Sequence, residues 1–232
     1  MKLFTAPTAE EVTRAVVAEI ATALSRGPTR LALATGRTFE PIYRALAKLS
    51  GTTFDPADIT GIQIDEYVGL SPADPGSFAA TLGALVPDIV ASRDRLLQLD
   101  GSAAFPEAEI ARHTAAIEAQ GGIDLLLLGL GRNGHIAFNE PGSTADSGSR
   151  VVKLADETRE DAAAAFEGSP PAEGMTLGIR ELRAARSALL VAKGPAKHDA
   201  FSRLGEAAIP ASFLLDHPGL KVIADAATVS GT

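Results

Sequence analysis

Cysteine and tryptophan are absent from this chain of 232 residues, and aromatic residues make up only 5% of it. Without cysteine the chain can form no disulfide, no thiolate nucleophile, no iron–sulfur cluster and no cysteine-ligated zinc site. The few aromatic side chains leave little surface on which nucleic-acid bases could stack. These absences leave carboxylates, histidines, hydroxyls and amines as the groups that could perform chemistry.

Positive charge is also scarce, because 21 Lys and Arg face 29 Asp and Glu, for a formal net charge of −8. Nucleic-acid binding needs a basic surface, so we expect no nucleic-acid partner. No apolar run approaches the roughly 20 residues of a membrane span, and the first residues lack the apolar core of a signal peptide. We therefore expect a cytoplasmic protein without a membrane partner.

Helix and strand patterns alternate along the whole chain. The patterns predict strands over residues 30–34, 61–66, 96–99, 123–131, 149–155, 187–194 and 220–225. They predict helices over residues 9–25, 39–49, 76–86, 105–120, 156–166 and 195–205. This alternation is typical of an α/β fold with three αβα layers, a mainly parallel Rossmann-like sheet and helices on both faces. We expect a single domain over residues 1–232, with a loop or lid over residues 167–174.

Ligands of such sheets bind beyond the carboxyl ends of the strands, so the turns there are the first candidates for a site. The turn after the first predicted strand contains Thr35, Gly36, Arg37 and Thr38 and leads into a helix. Free backbone N–H groups and the helix dipole make such a turn an anion site. In the alternative interpretation, Gly36 only makes the turn and Thr38 only caps the helix.

Two adjacent acids, Asp65 and Glu66, end the second predicted strand. Because side chains alternate along a strand, they point in opposite directions, and one of them could act as a general base. The alternative is that one acid caps a helix and the other is solvated.

The most apolar predicted strand leads into a glycine-rich turn over residues 129–134. The turn matches G-x-G-x-x-G, but the following residues run into Pro141-Gly142 instead of a helix, so we reject a dinucleotide site. His135 and Glu140 could form an oriented proton-transfer pair. The other histidines show no metal-ligand spacing, so we expect no metal, and we expect His113 to be solvated on an amphipathic helix.

Lys197 opens the predicted helix over residues 195–205. A lysine in the first turn of a helix opposes the helix dipole unless an anion is bound there, although a plain surface lysine is the alternative. Taken together, the turns indicate acid–base chemistry on a small anionic, phosphorylated substrate, without an organic cofactor.

Residues 64–70 (IDEYVGL) and 129–142 (GLGRNGHIAFNEPG) resemble the glucosamine-6-phosphate deaminase (isomerase) family. Thr35-Gly36 and Lys197 match that family in order and spacing. The same stretch in the related 6-phosphogluconolactonases resembles G-H-x-A-S-L-F-P instead. The resemblance covers essentially the whole chain.

The resemblance implies a cofactor-free aldose–ketose isomerisation with hydrolytic loss of ammonia, from glucosamine 6-phosphate to fructose 6-phosphate. It implies that His135, held by Glu140, moves the proton that opens the sugar ring. It implies that Asp65 takes the proton from C2 and returns it at C1. The phosphate is then expected on Thr35, Gly36, Thr38 and Lys197.

The chain departs from the family pattern at several positions. Asn133 stands where many members have Asp, and it can orient His135 by hydrogen bonding without supplying charge. The phosphate turn reads T-G-R-T-F in place of T-G-G-T-P, and Phe78 stands where Tyr is common. A phosphate-binding Arg is missing at Ala164, and we hypothesise that Arg37 replaces it.

Several alternatives remain at this point. The chain could be a related isomerase for galactosamine 6-phosphate, a 6-phosphogluconolactonase, or a sensor that binds sugar phosphates without turnover. Asp65 favours isomerisation, because a lactonase moves no carbon-bound proton. The sequence leaves the oligomeric state open, with a homo-oligomer among the alternatives.

Overall fold

The computed structural model describes residues 2–90, 95–166 and 168–232, which form two β-sheets and the helices around them. The strands of this described part are β1 (Lys2–Ala6), β2 (Thr29–Leu33), β3 (Ile59–Gln63), β4 (Asp65–Tyr67), β5 (Leu96–Leu97), β6 (Leu125–Gly129), β7 (Arg150–Lys153), β8 (Glu173–Thr176), β9 (Ser187–Ala192) and β10 (Leu220–Asp225). The α-helices are α1 (Ala9–Leu24), α2 (Glu40–Ala47), α3 (Phe78–Leu85), α4 (Pro87–Val90), α5 (Pro106–Ala119), α6 (Asp156–Ala162), α7 (Ile179–Arg183), α8 (His198–Ser202) and α9 (Ala226–Ser230). None of the helices described is long and apolar enough to cross a membrane.

The central sheet has seven strands in the order β1-β10-β9-β6-β2-β3-β5, and every neighbouring pair is parallel. Strand β6 lies in the middle and is built from four consecutive leucines that are buried on both faces. Such an apolar strand is typical of a parallel sheet that is covered by helices on both sides. The mainly parallel α/β fold predicted from the sequence is confirmed.

The second sheet is small and antiparallel, with the order β4-β8-β7. It corrects two expectations. The single strand predicted over residues 61–66 is two strands, because the chain leaves the central sheet at Ile64 and pairs next with β8. The segment expected as a loop over residues 167–174 already enters β8 at Glu173, while residue 167 lies outside the described residues.

Local signals fix several helix boundaries. Helix α1 begins at residue 9, as predicted, and the Thr8 hydroxyl before it accepts a hydrogen bond from the N–H of Glu11 at 3.2 Å. Helix α5 begins at Pro106, which suits the first helical position because its missing N–H would have no partner there. Helix α3 begins after Ser77, whose hydroxyl accepts from the N–H of Ala80.

The strand order reverses direction between β2 and β6. From β2 the chain moves outward on one side to β3, whereas β6 pairs with β2 on the other side. This reversal is a topological switch point, where open parallel sheets bind ligands beyond their carboxyl ends. The turns after β2, β3, β6 and β9 all open at this edge of the sheet, and they carry the residues that the sequence singled out.

Candidate active site

The turn after β2 presents unpaired backbone donors. Gly36 has a φ of 98°, a left-handed conformation that glycine adopts without steric cost. Among the described residues, none accepts a hydrogen bond from the N–H of Gly36, Arg37 or Thr38. Helix α2 follows, and its N-cap residue is Phe39 with no side-chain cap, so the alternative in which Thr38 caps the helix is wrong. Free N–H groups ahead of a helix are the elements of an anion site.

Two aromatic residues, Tyr43 of α2 and its N-cap residue Phe39, support this turn. The hydroxyl of Tyr43 donates to the carbonyl of Ala34 at 2.6 Å, and its ring stacks on that of Phe39. Burial raises the pKa of the Tyr43 hydroxyl well above its ordinary value, and the charge of Asp65 adds to the increase. Asp65 is therefore within electrostatic reach of the residue that supports the anion turn.

Asp65 itself is buried, with 6% of its surface exposed. Its Oδ1 atom has no hydrogen-bond partner among the described residues. Burial raises the pKa of this carboxyl group well above its ordinary value, and the neighbouring charge of Glu66 raises it further. A carboxylate with a raised pKa and a free oxygen is suited to accept a proton from carbon.

The adjacent Glu66 has a different environment. Its carboxylate accepts hydrogen bonds from the backbone N–H groups of Tyr67, Phe78 and Ala79 and from the side-chain amide of Gln63. Two of these donors open helix α3, so Glu66 caps that helix. Strand alternation separates the two acids as expected, and every oxygen of Glu66 is committed to holding structure.

His135 and its partners form a chain of hydrogen bonds beyond β6. The Nδ2 group of Asn133 donates to Oε2 of Glu140 at 2.9 Å, so its Oδ1 must face His135. That Oδ1 accepts from Nδ1 of His135 at 2.8 Å. Because an amide oxygen can only accept, Nδ1 carries the proton, and Nε2 of the neutral ring keeps its lone pair. Glu140 also accepts from the N–H of Ala155 at 3.2 Å.

The charges around His135 oppose one another. Burial lowers the pKa of the imidazole below its ordinary value, the charge of Glu140 raises it, and the charge of Lys197 lowers it. The nearest carboxylate oxygen, Oε2 of Glu140, lies 3.7 Å from Nδ1, with the amide of Asn133 bonded to both groups. The neutral ring is therefore the resting form at neutral pH, and it can accept a proton at Nε2.

The backbone of the glycine-rich turn is shaped around this imidazole. A Cβ atom added at Gly131 would lie 2.4 Å from Nδ1 of His135, so a side chain there would displace the ring. The carbonyl of His135 accepts from the N–H of Gly131 at 2.9 Å, which closes the turn. Ala137 has a φ of 48°, a left-handed conformation that is uncommon for a residue with a side chain and is often found at functional sites.

Lys197 lies at the start of α8 and is half-buried. Within the described residues its ammonium group forms no hydrogen bond or ion pair. Burial lowers its pKa, the charge of Asp161 raises it, and the charges of Arg132 and Arg37 lower it. Arg37 is exposed. Lys197 is thus within electrostatic reach of Arg132 and of Arg37, which belongs to the anion turn.

Sequence reasoning missed one contact of His135 and misjudged a second histidine. The hydroxyl of Thr158, on α6, lies 3.2 Å from Nδ1 of His135, and Ala164 lies exposed beyond the end of that helix. His113, which was expected to be solvated, is fully buried and bonds through Nε2 to the carbonyl of Gln63 at 2.7 Å. The residues described contain no group of three or more His, Asp or Glu placed to hold a metal ion.

Comparison with known proteins places the chain among sugar-phosphate enzymes. The family described as glucosamine-6-phosphate isomerases/6-phosphogluconolactonase matches residues 5–223. The chain is 38% identical to a glucosamine-6-phosphate deaminase of Halalkalibacterium halodurans, over 87% of this chain and 86% of the relative. It is 35% identical to the deaminase of Bacillus velezensis over the full length of both.

Solved structures give the same result at the level of the fold. The structure of a monomeric glucosamine-6-phosphate deaminase superposes with a TM-score of 0.95 at 33% identity and covers both chains completely. A 6-phosphogluconolactonase from Leishmania guyanensis superposes with a TM-score of 0.81 over 100% of this chain and 98% of its own, at only 19% identity. That second likeness shows the fold alone. The chain therefore belongs to the glucosamine-6-phosphate isomerase/6-phosphogluconolactonase family.

Proposed function

We propose that the protein is a glucosamine-6-phosphate deaminase, which converts glucosamine 6-phosphate into fructose 6-phosphate and ammonia. The observation that carries the proposal is Asp65, a buried carboxyl group with a raised pKa at the carboxyl ends of the strands, with one oxygen that has no hydrogen-bond partner among the described residues. A base of this kind suits a reaction in which a proton leaves carbon. The names of the relatives and of the solved structure agree with it.

His135 acts first in the proposed reaction. Its Nε2 accepts the proton of the C1 hydroxyl, and the resulting imidazolium protonates the ring oxygen, so that the sugar opens to its aldehyde form. Asn133 keeps the ring in the required tautomer, and Glu140 holds Asn133. The carboxylate of Glu140 stabilises the imidazolium through this neutral amide.

Asp65 then acts on the open chain. Its carboxylate takes the proton from C2, and the electrons of that bond form the C1–C2 double bond. The C1 oxygen takes a proton from the ammonium group on C2, which gives a neutral enolamine. Asp65 returns the proton at C1, which leaves a protonated imine at C2. Water adds to this imine and ammonia leaves, so the products are fructose 6-phosphate and ammonia. The carbon skeleton needs no oxidant or reductant.

The substrate phosphate is proposed to lie on the turn after β2. The N–H groups of Gly36, Arg37 and Thr38 donate to it, the hydroxyls of Thr35 and Thr38 add further donors, and Lys197 supplies charge. Anchoring the phosphate fixes C1 and C2 relative to His135 and Asp65, which is the main contribution of binding to the rate. A cytoplasmic location and a homo-oligomer stay predictions.

Ammonia and fructose 6-phosphate should be measured in parallel, with glucosamine 6-phosphate as substrate. We expect equal amounts of both products, and loss of both in His135→Ala and Asp65→Asn. Asp216→Asn changes an exposed acid on the loop before β10, at the opposite edge of the sheet, and is the matched control that should keep full activity.

Each alternative gives a different result. Turnover of galactosamine 6-phosphate but not of glucosamine 6-phosphate would show that the substrate is the other epimer. Hydrolysis of a 6-phosphogluconolactone without release of ammonia would show that the protein is a lactonase. Tight binding of sugar phosphates without any turnover would indicate a sensor. Asp65 disfavours the lactonase, because lactone hydrolysis has no carbon-bound proton to move.

A further inference from the structure

Helix α6 presents an acidic side chain to the candidate site, where the family resemblance leads us to expect a basic one. Thr158 and Asp161 are three residues apart and lie on the same face of the helix. The hydroxyl of Thr158 contacts His135, and Oδ1 of Asp161 lies 2.8 Å from Nε of Arg132. Ala164, where the family resemblance expects a phosphate-binding arginine, is exposed on the short helical turn Ala163–Ala165.

Arg132 occupies the turn after β6, directly before Asn133. Within the described part of the chain, its guanidinium forms hydrogen bonds and ion pairs only with α6: Asp161, the carboxylate of Glu160 at 3.6 Å and the carbonyl of Glu157 at 3.4 Å. The side chains of Arg132 and Asp161 are 39% and 31% exposed. Ion pairs as open to solvent as this one are weak, so a stronger anion can replace the carboxylate.

Lys197 and Arg37 are further cations near this pair. Arg132 and Arg37 both lie close enough to Lys197 to lower the pKa of its ammonium group, and Asp161 is the carboxylate that opposes them. The charge of Asp161 is also felt by His135. The carboxylate thus lies within electrostatic reach of Arg132, Lys197 and His135, the groups that surround the proposed position of the substrate.

We propose that Arg132 is a phosphate-binding, specificity-determining residue, and that Asp161 is its resident counter-ion, which the substrate phosphate displaces. This inference rests on the proposed function and assigns to Arg132 the role that the missing arginine at position 164 leaves open. It replaces the hypothesis that the exposed Arg37 takes that role. A dianionic phosphate pairs with a guanidinium through two hydrogen bonds and carries more charge than a carboxylate. An amino sugar without a phosphate has no anionic group that can displace Asp161, so the pair selects phosphorylated substrates.

The test compares Arg132→Gln, Arg132→Lys and Asp161→Asn by KM and kcat for glucosamine 6-phosphate, and by the inhibition constant of inorganic phosphate. Losing a charge-assisted hydrogen bond weakens binding about 10- to 100-fold, so we expect Arg132→Gln to raise KM and the inhibition constant by that factor. Arg132→Lys should recover part of the loss. Asp161→Asn removes a weakly held competitor and should lower both constants about two- to fivefold.

Arg183 and Asp216 provide a matched control pair. They form an ion pair of the same 2.8 Å length before the amino ends of β9 and β10, and their side chains are 33% and 68% exposed. Arg183→Gln and Asp216→Asn should leave KM and the inhibition constant unchanged.

Opposite effects of Arg132→Gln and Asp161→Asn on phosphate affinity support the proposal. Parallel losses in both variants would show that the pair only braces α6 against the turn, and would overturn it. An unchanged KM in Arg132→Gln together with a lost affinity in Lys197→Ala would overturn the role of Arg132 and leave the proposed function intact. A wild-type protein that binds neither inorganic phosphate nor glucosamine 6-phosphate would refute both.

Discussion

Asp65 and Glu66 are neighbours in the sequence, and removing their charges should change stability in opposite directions. We expect Asp65→Asn to raise the free energy of unfolding at pH 7 by about 1–2 kcal/mol, because it removes an ionised carboxylate that is buried without a full set of partners. For a chain of this size that corresponds to about 2–8 °C in Tm. The same variant should have no deaminase activity.

The pH dependence of this difference follows from the raised pKa of Asp65. Between the ordinary pKa of the unfolded chain and the raised pKa of the folded protein, the folded state binds more protons. The wild type therefore loses stability as pH rises through this interval. The advantage of Asp65→Asn should vanish at the acidic end, grow with pH, and level off above the folded pKa.

Glu66→Gln is the matched control for this reasoning. Glu66 accepts four hydrogen bonds, and glutamine has only one acceptor oxygen, so we expect a loss of about 2–4 kcal/mol. Both variants are measured by chemical denaturation between pH 4 and 8. A destabilised Asp65→Asn, or a difference that does not change with pH, would refute the argument that Asp65 is held in an unfavourable environment.

Three further predictions concern the histidines and their surroundings. Asn133→Asp places a second carboxyl group beside Nδ1 of His135 and should raise the pKa of the imidazole, so the acidic limb of the pH profile of kcat/KM should move to higher pH. An acidic limb at the wild-type pH would contradict the role of His135 as the base that accepts a proton. Gly131→Ala forces the His135 ring aside, and we expect kcat to fall about 100-fold with phosphate inhibition retained; an unchanged kcat would show that the ring position does not matter. Burial lowers the pKa of His113 to about 4 in the folded protein. Between this pKa and the ordinary pKa of histidine, the unfolded chain binds more protons than the folded protein. The free energy of unfolding of the wild type should therefore fall by up to about 3 kcal/mol as pH drops through this interval. Denaturation of His113→Phe should show a weaker acid dependence, and an identical one would contradict the assignment.

Local patterns predicted much of the fold. The strand predicted over residues 220–225 is β10 with the same bounds, and helix α1 begins at residue 9, as predicted. The break at Ile64 was not predictable, because no glycine or proline separates the two strands and only the pairing of β4 with β8 distinguishes them. Strand β1, an exposed edge strand, lacks the buried pattern that would have revealed it.

The candidate site divides in the same way. Residues that follow strands were found, since a strand end can be recognised from the chain alone, and their proposed roles in the reaction stay predictions, as does the single domain. The burial of His113 and the pairing of Arg132 with Asp161 depend on how α5 and α6 pack against the sheets. No local sequence pattern indicates how these helices pack. In the sequence, Glu66 was as good a candidate for the base as Asp65, and only the hydrogen bonds of Glu66 with the start of α3 distinguish the two.

The most direct test of the account follows the hydrogen on C2 with glucosamine 6-phosphate deuterated at that carbon. The account predicts that the wild type releases ammonia several-fold more slowly from the labelled substrate, with deuterium leaving C2 for C1 or solvent. It also predicts that Asp65→Asn binds the substrate with nearly unchanged affinity and moves no deuterium. Turnover by Asp65→Asn at the wild-type rate, or deuterium retained at C2 of a product, would contradict the claim that Asp65 moves a carbon-bound proton.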